Sequence, residues 1–124
     1  VVTVHVPLTK QTKGMIRKKE LRFMKPDAVL INTARGGIVN ETDLYQVMKD
    51  GHLSGAAIDV FEQEPYDGPL KDIERCHLTS HMGSTSADCR ARMEIEAAQE
   101  AIRFIKGETL EGLVPEVEYE AQQS

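Results

Sequence analysis

Cysteine is scarce in this 124-residue chain. Cys76 and Cys89 stand isolated, too few for a disulfide framework. No apolar stretch approaches the roughly 18 residues of a membrane-spanning helix, and no secretory leader is visible. A soluble, cytoplasmic protein without a membrane partner is the expectation. Fifteen basic residues against twenty acidic ones leave a net charge of −5. The one basic cluster, Arg17-Lys18-Lys19, is short and reads as a solvated helix face, so nothing favours a nucleic-acid partner. Neither G-x-G-x-x-G nor G-x-x-x-x-G-K-S/T occurs, so Gly36-Gly37 and Gly83-Ser84 are not phosphate loops. No C-x-x-C pair exists, and strand alternation turns Cys76 and His77 to opposite faces. Zinc held by Cys76, His77, His81 and Cys89 is therefore not expected, nor any other metal. Internal repeats and low-complexity segments are absent. The chain opens on Val1, directly inside an apolar strand, which suggests a piece of a longer polypeptide. Its length suits one domain with a real core and is small for a two-domain enzyme.

What the sequence does hold is arranged around residues 27–39, DAVLINTARGGIV. The apolar run Ala28 to Ile31 lacks polar alternation, which suits a parallel-sheet strand covered on both faces. Pro26 and Asp27 mark its start. Gly36 and Gly37 mark its end, where the chain must turn tightly or let another molecule approach the backbone. Arg35 is left at the tip, and a guanidinium there suits a carboxylate or phosphate gripped by two parallel hydrogen bonds.

In chain order, residues 1–6 (VVTVHV) predict a strand that stops at Pro7. Thr9 to Thr12 read as a polar loop, Gly14 as a turn, and Met15 to Met24 as a short helix of loose pattern. Asn40 is a good N-cap, with Glu41 and Asp43 in the first turn. Leu44, Val47 and Met48 form one apolar helix face, and Gly51 is the stop. His52 to Val60 predicts a third strand, its small residues Gly55, Ala56 and Ala57 letting a helix or ligand lie close. Glu62 to Asp72 reads as a loop, and Cys76 to Ser80 as a fourth strand followed by HMGSTS. Thr85 or Ser86 caps a long helix to Lys106, closed by Gly107. The tail has a small apolar anchor, Leu113-Val114-Pro115. It then turns acidic and polar (Glu116, Glu118, Glu120, Gln122) and is expected to be loose.

This alternation of strands and helices implies mostly parallel strands with helices on their faces. Parallel strands end at one edge, and ligands of open α/β sheets bind outside it. Pro7 with Thr9, Arg35, Glu64 and His81 each follow the carboxyl end of a different strand, so they are expected along one rim. Taken singly, Arg35 could be a surface arginine in a turn. His81 could bridge backbone groups, and Glu64 could be solvated. Taken together, a carboxylate that orients an imidazole gives a proton carrier, and an arginine opposite holds an anion. That trio predicts proton transfer at an oxygen next to a carboxylate. Asp59 ends the third strand, where a buried acid either caps a backbone amide or binds a ligand.

The motifs HVPLT (residues 5–9), MKPDAVLINTARGGIV (24–39), GAAIDVFEQEP (55–65) and TSHMGS (79–84) resemble, in this order, the D-isomer-specific 2-hydroxyacid dehydrogenase family, nearest its D-3-phosphoglycerate dehydrogenases. The resemblance implies the C-terminal half of a Rossmann-type, doubly wound parallel sheet over residues 1–107, long helix 85–106 included. Residues 108–124 would be a tail returning to a substrate domain. It implies hydride transfer between NAD and a small 2-hydroxy or 2-oxo acid, 3-phosphoglycerate among them, with NADP left open. By the same resemblance, Arg35 matches the substrate-carboxylate arginine, His81 the acid/base and Glu64 its carboxylate partner. Asp59 matches the acid near the nicotinamide. His5, Pro7, Thr33, Ala34, Met82, Gly83 and Ser84 match cofactor-lining positions, as do Arg35 and His81, and Thr12 matches more weakly. A homodimer through the cofactor domain is implied. In the family a glycine-rich half and a substrate domain precede this segment, so the isolated chain is expected to be nearly inactive and to bind NAD weakly. Two other readings of the same fold are an NAD-sensing, corepressor-like binding protein and a non-catalytic dimerising half-domain.

Overall fold

The computed structural model describes residues 1–114, and the acidic tail residues named above lie outside them. The described residues form two units, residues 1–81 and residues 82–114.

In the first unit four parallel strands lie side by side in chain order: β1 (Val2–Val4), β2 (Val29–Asn32), β3 (Gly55–Ile58) and β4 (Cys76–Leu78). Two helices are interleaved, α1 (Lys18–Phe23) and α2 (Glu41–Lys49). The sequence pattern explains α2 well. Asn40 accepts from the Asp43 amide at 2.9 Å, the apolar face Leu44, Val47 and Met48 is buried, and Gly51 takes φ +83° just past its end. Leu21 of α1, Leu30, Ile38 and Leu70 (in a 3-10 turn at Pro69–Asp72) complete a core without solvent contact. Each such side chain contributes about 1.5–3 kcal/mol by leaving water.

Several expectations need correction: the third strand is Gly55–Ile58 rather than His52 to Val60, the fourth Cys76–Leu78 rather than Cys76 to Ser80, and the first helix Lys18–Phe23 rather than Met15 to Met24. Strand β1 covers three residues rather than six, because it pairs only where β2 continues beside it, Val2 with Leu30 through Val4 with Asn32. The sheet is also covered unequally. Leu30, Asn32, Ala56 and Ile58 are buried, whereas Val29, Ile31, Gly55 and Ala57 on the other face are half-buried.

The second unit is a 3-10 turn (Met82–Ser84) and the helix α3 (Ala87–Lys106). The Ser86 hydroxyl accepts from the Cys89 amide at 3.2 Å, and Gly107 ends the helix at φ +71°. None of the α3 residues is buried, and Ile95, Phe104 and Ile105 are exposed. Leu113 and Val114, the two described residues of the expected apolar anchor, are exposed as well. Among the described residues no helix is long and apolar enough to cross a membrane.

Candidate active site

One row of the sheet sets the site. Val4, Asn32, Ile58 and Leu78 are register partners across the four strands. Pro7, Arg35, Phe61 and His81 each follow that row by three residues, so all four leave the sheet at the same edge.

Arg35 is exposed at the tip of β2, its Nη1 donating to the Ala34 carbonyl at 2.7 Å. No carboxylate pairs with it among the described residues. Glu64 is fixed through both oxygens: Oε1 accepts from the Phe61 amide at 3.0 Å, and Oε2 lies 3.0 Å from Nδ1 of His81. The Phe61 N–H and, after it, His81 hold the Glu64 carboxyl below the usual carboxylate range. With Nδ1–H directed at this carboxylate, Nε2 of His81 is the ring atom left for a substrate. His81 sits in the left-handed backbone region (φ +54°), anchored by its amide donating to the Asp59 carbonyl at 2.8 Å.

Arg35, Glu64 and His81 line one cleft of about 450 Å³, together with Leu8, Lys13 and Phe61. The three predicted residues are thus brought together. A second cleft of about 520 Å³, also bordered by Phe61 and Glu64, runs along Tyr66, Leu78 and Thr79 and holds neither Arg35 nor His81. The trio therefore marks the smaller cleft.

The other predicted residues fall differently. Asp59 is buried, and its carboxylate accepts from the Thr79 hydroxyl at 2.5 Å. The Ala34 backbone is already engaged: its amide donates to Oδ1 of Asn32 at 3.1 Å, and its carbonyl takes the Arg35 guanidinium. Thr33 is exposed beside it. His5 is exposed and bonds the Thr3 hydroxyl at 2.8 Å. Thr12 closes its own loop, its hydroxyl donating to the Pro7 carbonyl at 2.6 Å and accepting from the Thr9 amide at 2.8 Å. Met82, Gly83 and Ser84 form the 3-10 turn that opens the second unit, where the Met82 carbonyl accepts from the Thr85 hydroxyl at 2.8 Å. Cys76 is buried while His77 beside it is exposed, and burial pushes the Cys76 thiol up to about 11. Among the described residues no three His, Cys, Asp or Glu side chains gather to hold a metal ion.

Some contributors carry no sequence signal of their own. Leu8 and Lys13 reach the cleft because the loop after β1 docks beside the Gly-Gly turn, the Gly14 amide donating to the Gly37 carbonyl at 2.7 Å and the Ile16 amide to the Ile38 carbonyl at 3.1 Å. Asn32 did carry one, as a polar residue closing an otherwise apolar strand.

Residues 1–83 match the family described as D-isomer specific 2-hydroxyacid dehydrogenase, NAD binding domain. The chain belongs to this family. It is 44% identical over 114 residues to a glyoxylate reductase of Thermococcus litoralis, covering 91% of this chain and 34% of that enzyme. It is 40% identical over 108 residues to the D-3-phosphoglycerate dehydrogenase of Bacillus subtilis, covering 86% of this chain and 21% of the other. The TT0316 protein of Thermus thermophilus superposes with a TM-score of 0.86 at 34% identity, over 92% of this chain and 37% of that structure. The chain thus spans about a third or less of the length of these dehydrogenase relatives. The parallel sheet with its site at the carboxyl edge is the Rossmann-like arrangement of the dehydrogenase family's NAD-binding domain. Pro7 and Thr33 follow the carboxyl ends of β1 and β2, at the edge where the cleft lies. The pyrophosphate turn is a motif this sequence does not contain.

Proposed function

We propose that this chain supplies the acid/base and anion-binding part of an NAD-dependent dehydrogenase acting on small 2-hydroxy or 2-oxo acids, 3-phosphoglycerate being one candidate. The observation that carries the reading is the single cleft shared by Arg35, Glu64 and His81, with the carboxylate 3.0 Å from the imidazole.

Each group has a distinct task. The guanidinium of Arg35 holds the substrate carboxylate through two charge-assisted hydrogen bonds, fixing the adjacent C2 carbon. Nε2 of His81 gives a proton to the C2 oxygen during reduction and takes it back during oxidation. Glu64 keeps Nδ1 as the bonded nitrogen, stabilises the imidazolium and orients the ring. NAD, when bound, supplies or accepts the hydride at C2. His5, Pro7, Thr33, Ala34 and Asp59 are the residues that would border it, with Thr12 acting through the loop it closes. The assembly implied is a homodimer formed through this domain, a reading supported by the exposed apolar residues of α3.

The test replaces the matching 114 residues of the Thermococcus litoralis glyoxylate reductase with this chain and follows oxidation of NADH and NADPH with glyoxylate, hydroxypyruvate and 3-phosphohydroxypyruvate. The chimera is expected to turn over at least one of these acids, with His81→Asn lowering kcat by about 10²–10⁴-fold, and the isolated chain to show negligible turnover. A folded chimera that reduces no 2-oxo acid, or one indifferent to His81→Asn, refutes the assignment.

A further inference from the structure

The last residue of β2 is a buried polar side chain to which neither anion binding nor proton transfer assigns a task. Asn32 is 2% exposed. Its Nδ2 donates to the Arg35 carbonyl at 3.1 Å, and its Oδ1 accepts from the Ala34 amide at 3.1 Å. A buried amide is costly unless its donor and acceptor are both matched. Here both are spent on the same three-residue turn. The two bonds flank the peptide between Ala34 and Arg35, and the Arg35 guanidinium is itself braced on the carbonyl of that peptide at 2.7 Å.

The backbone of Asn32 reaches the other side of the site. Its carbonyl accepts from the Asp59 amide at 3.0 Å, and the Asp59 carbonyl accepts from the His81 amide at 2.8 Å. From this one residue, bonds run through the side chain to Arg35 and through the main chain to His81. An apolar residue of similar volume would fill the space and leave the Ala34 amide and the Arg35 carbonyl without these partners. Aspartate would offer acceptors alone, and glutamine is one methylene too long for the turn.

We propose that Asn32 is a positioning residue for the substrate anion: its side-chain amide sets the Arg35 guanidinium at the spacing from His81 that lets one 2-oxo acid reach both. The inference rests on the roles given to Arg35 and His81 above. Asn32 touches no substrate atom and acts through Arg35.

The experiment is a double-mutant cycle in the active chimera, comparing Asn32→Ala, Arg35→Lys and the pair, with KM for the 2-oxo acid, KM for the cofactor and kcat measured separately. Asn32→Ala is expected to raise KM for the oxo acid about tenfold or more and to lower kcat, as displacement of a clamping group by a fraction of an ångström does. Cofactor KM is expected to stay within about twofold. In the Arg35→Lys background the same change is expected to add little, because the group it positions has gone. A merely structural role would lower the melting temperature of Asn32→Ala while its effect on oxo-acid KM stayed absent or multiplied independently with that of Arg35→Lys. Either result overturns the proposal. If Asn32→Ala does not fold, Asn32→Asp, which keeps the acceptor for the Ala34 amide but loses the donor to Arg35, carries the same cycle. If Arg35→Lys alone leaves oxo-acid KM unchanged, the functional reading falls and this inference with it. If Arg35→Lys raises KM while the Asn32 variants do not, this inference alone falls.

Discussion

Gly36 is where a single methyl group is expected to do most damage for its size. A Cβ built there falls 1.9 Å from the Phe61 carbonyl oxygen, 2.0 Å from its carbon and 2.6 Å from the Glu62 nitrogen. All three are backbone atoms, so no side chain can swing aside. Bringing the nearest contact to the 3.0 Å that real Cβ atoms tolerate requires main chain to retreat by about 1 Å. Phe61 is itself buried and stacked on Tyr66 at a centroid distance of 4.2 Å, which resists that retreat. Overpacking costs typically ~1–3 kcal/mol against side chains, so Gly36→Ala is expected to cost about 3 kcal/mol or more against backbone.

Two neighbours provide the scale. At Gly37 a Cβ meets nothing closer than 3.7 Å, but φ is +81°, so Gly37→Ala carries only the left-handed penalty of about 1–2 kcal/mol. At Gly83 nothing lies within 4 Å and no positive φ is required, so Gly83→Ala is expected within about 0.5 kcal/mol of the parent. Urea denaturation of the chain measures the order directly, a loss of about 3 kcal/mol lowering the midpoint by roughly 1–3 M. The displaced Phe61 also carries the amide that holds Glu64, so the imidazole NMR signals of His81 should move in Gly36→Ala and stay in Gly83→Ala. Equal midpoints for Gly36→Ala and Gly37→Ala would refute the close approach of Phe61.

Two further outcomes follow from the charge states. The Glu64 carboxyl titrates below its ordinary value of 4.5, so its contribution to stability is complete above that value and is lost as pH falls through the lower, folded-state one. Urea midpoints taken from about pH 6 to about pH 3 should therefore fall more steeply for the parent than for Glu64→Gln, and parallel curves would contradict the bonds to Phe61 and His81. Burial raises the Cys76 thiol to about 11, whereas Cys89 is partly exposed. A thiol reagent near pH ~8 should label Cys89 and spare Cys76 until the chain is unfolded, and mass spectrometry of the labelled peptides shows whether it does.

The elements were legible where punctuation is local. Asn40 and Ser86 cap the starts of their helices and Gly107 ends the last one, by bonds or angles a few residues long, whereas β1 stops at Val4, three residues short of Pro7. The trio was legible for a different reason, since each member follows a strand and parallel strands end together. What escaped depends on long-range docking. The glycine at position 36 makes room for Phe61, 25 residues on, rather than for a ligand. Thr12 is spent on closing its own loop, and Lys13 enters the cleft only because that loop lies against Gly37. The unequal covering of the sheet was likewise hidden, because an apolar strand reads the same whether its second face is covered or half-open.

The row Val4–Asn32–Ile58–Leu78 explains why three residues distant in sequence line one cleft. Neighbouring strands stand about 4.8 Å apart, so chains leaving β2 and β4 start about 10 Å apart, with β3 between them. Three residues past the row is far enough to leave the ladder and free a side chain, yet close enough to inherit its register. Phe61 occupies that position on β3, and it spaces the flanks with both ends of its backbone. Its carbonyl is pressed against Gly36 beside Arg35, and its amide holds Glu64, which holds His81. The spacing of Arg35 and His81 is therefore fixed around Phe61, by its carbonyl against Gly36 and by its amide through the Glu64 carboxylate, while the Asn32 side chain braces the Arg35 turn. That is what a site must have if a guanidinium and an imidazole are to meet the carboxylate and the C2 oxygen of one acid at once.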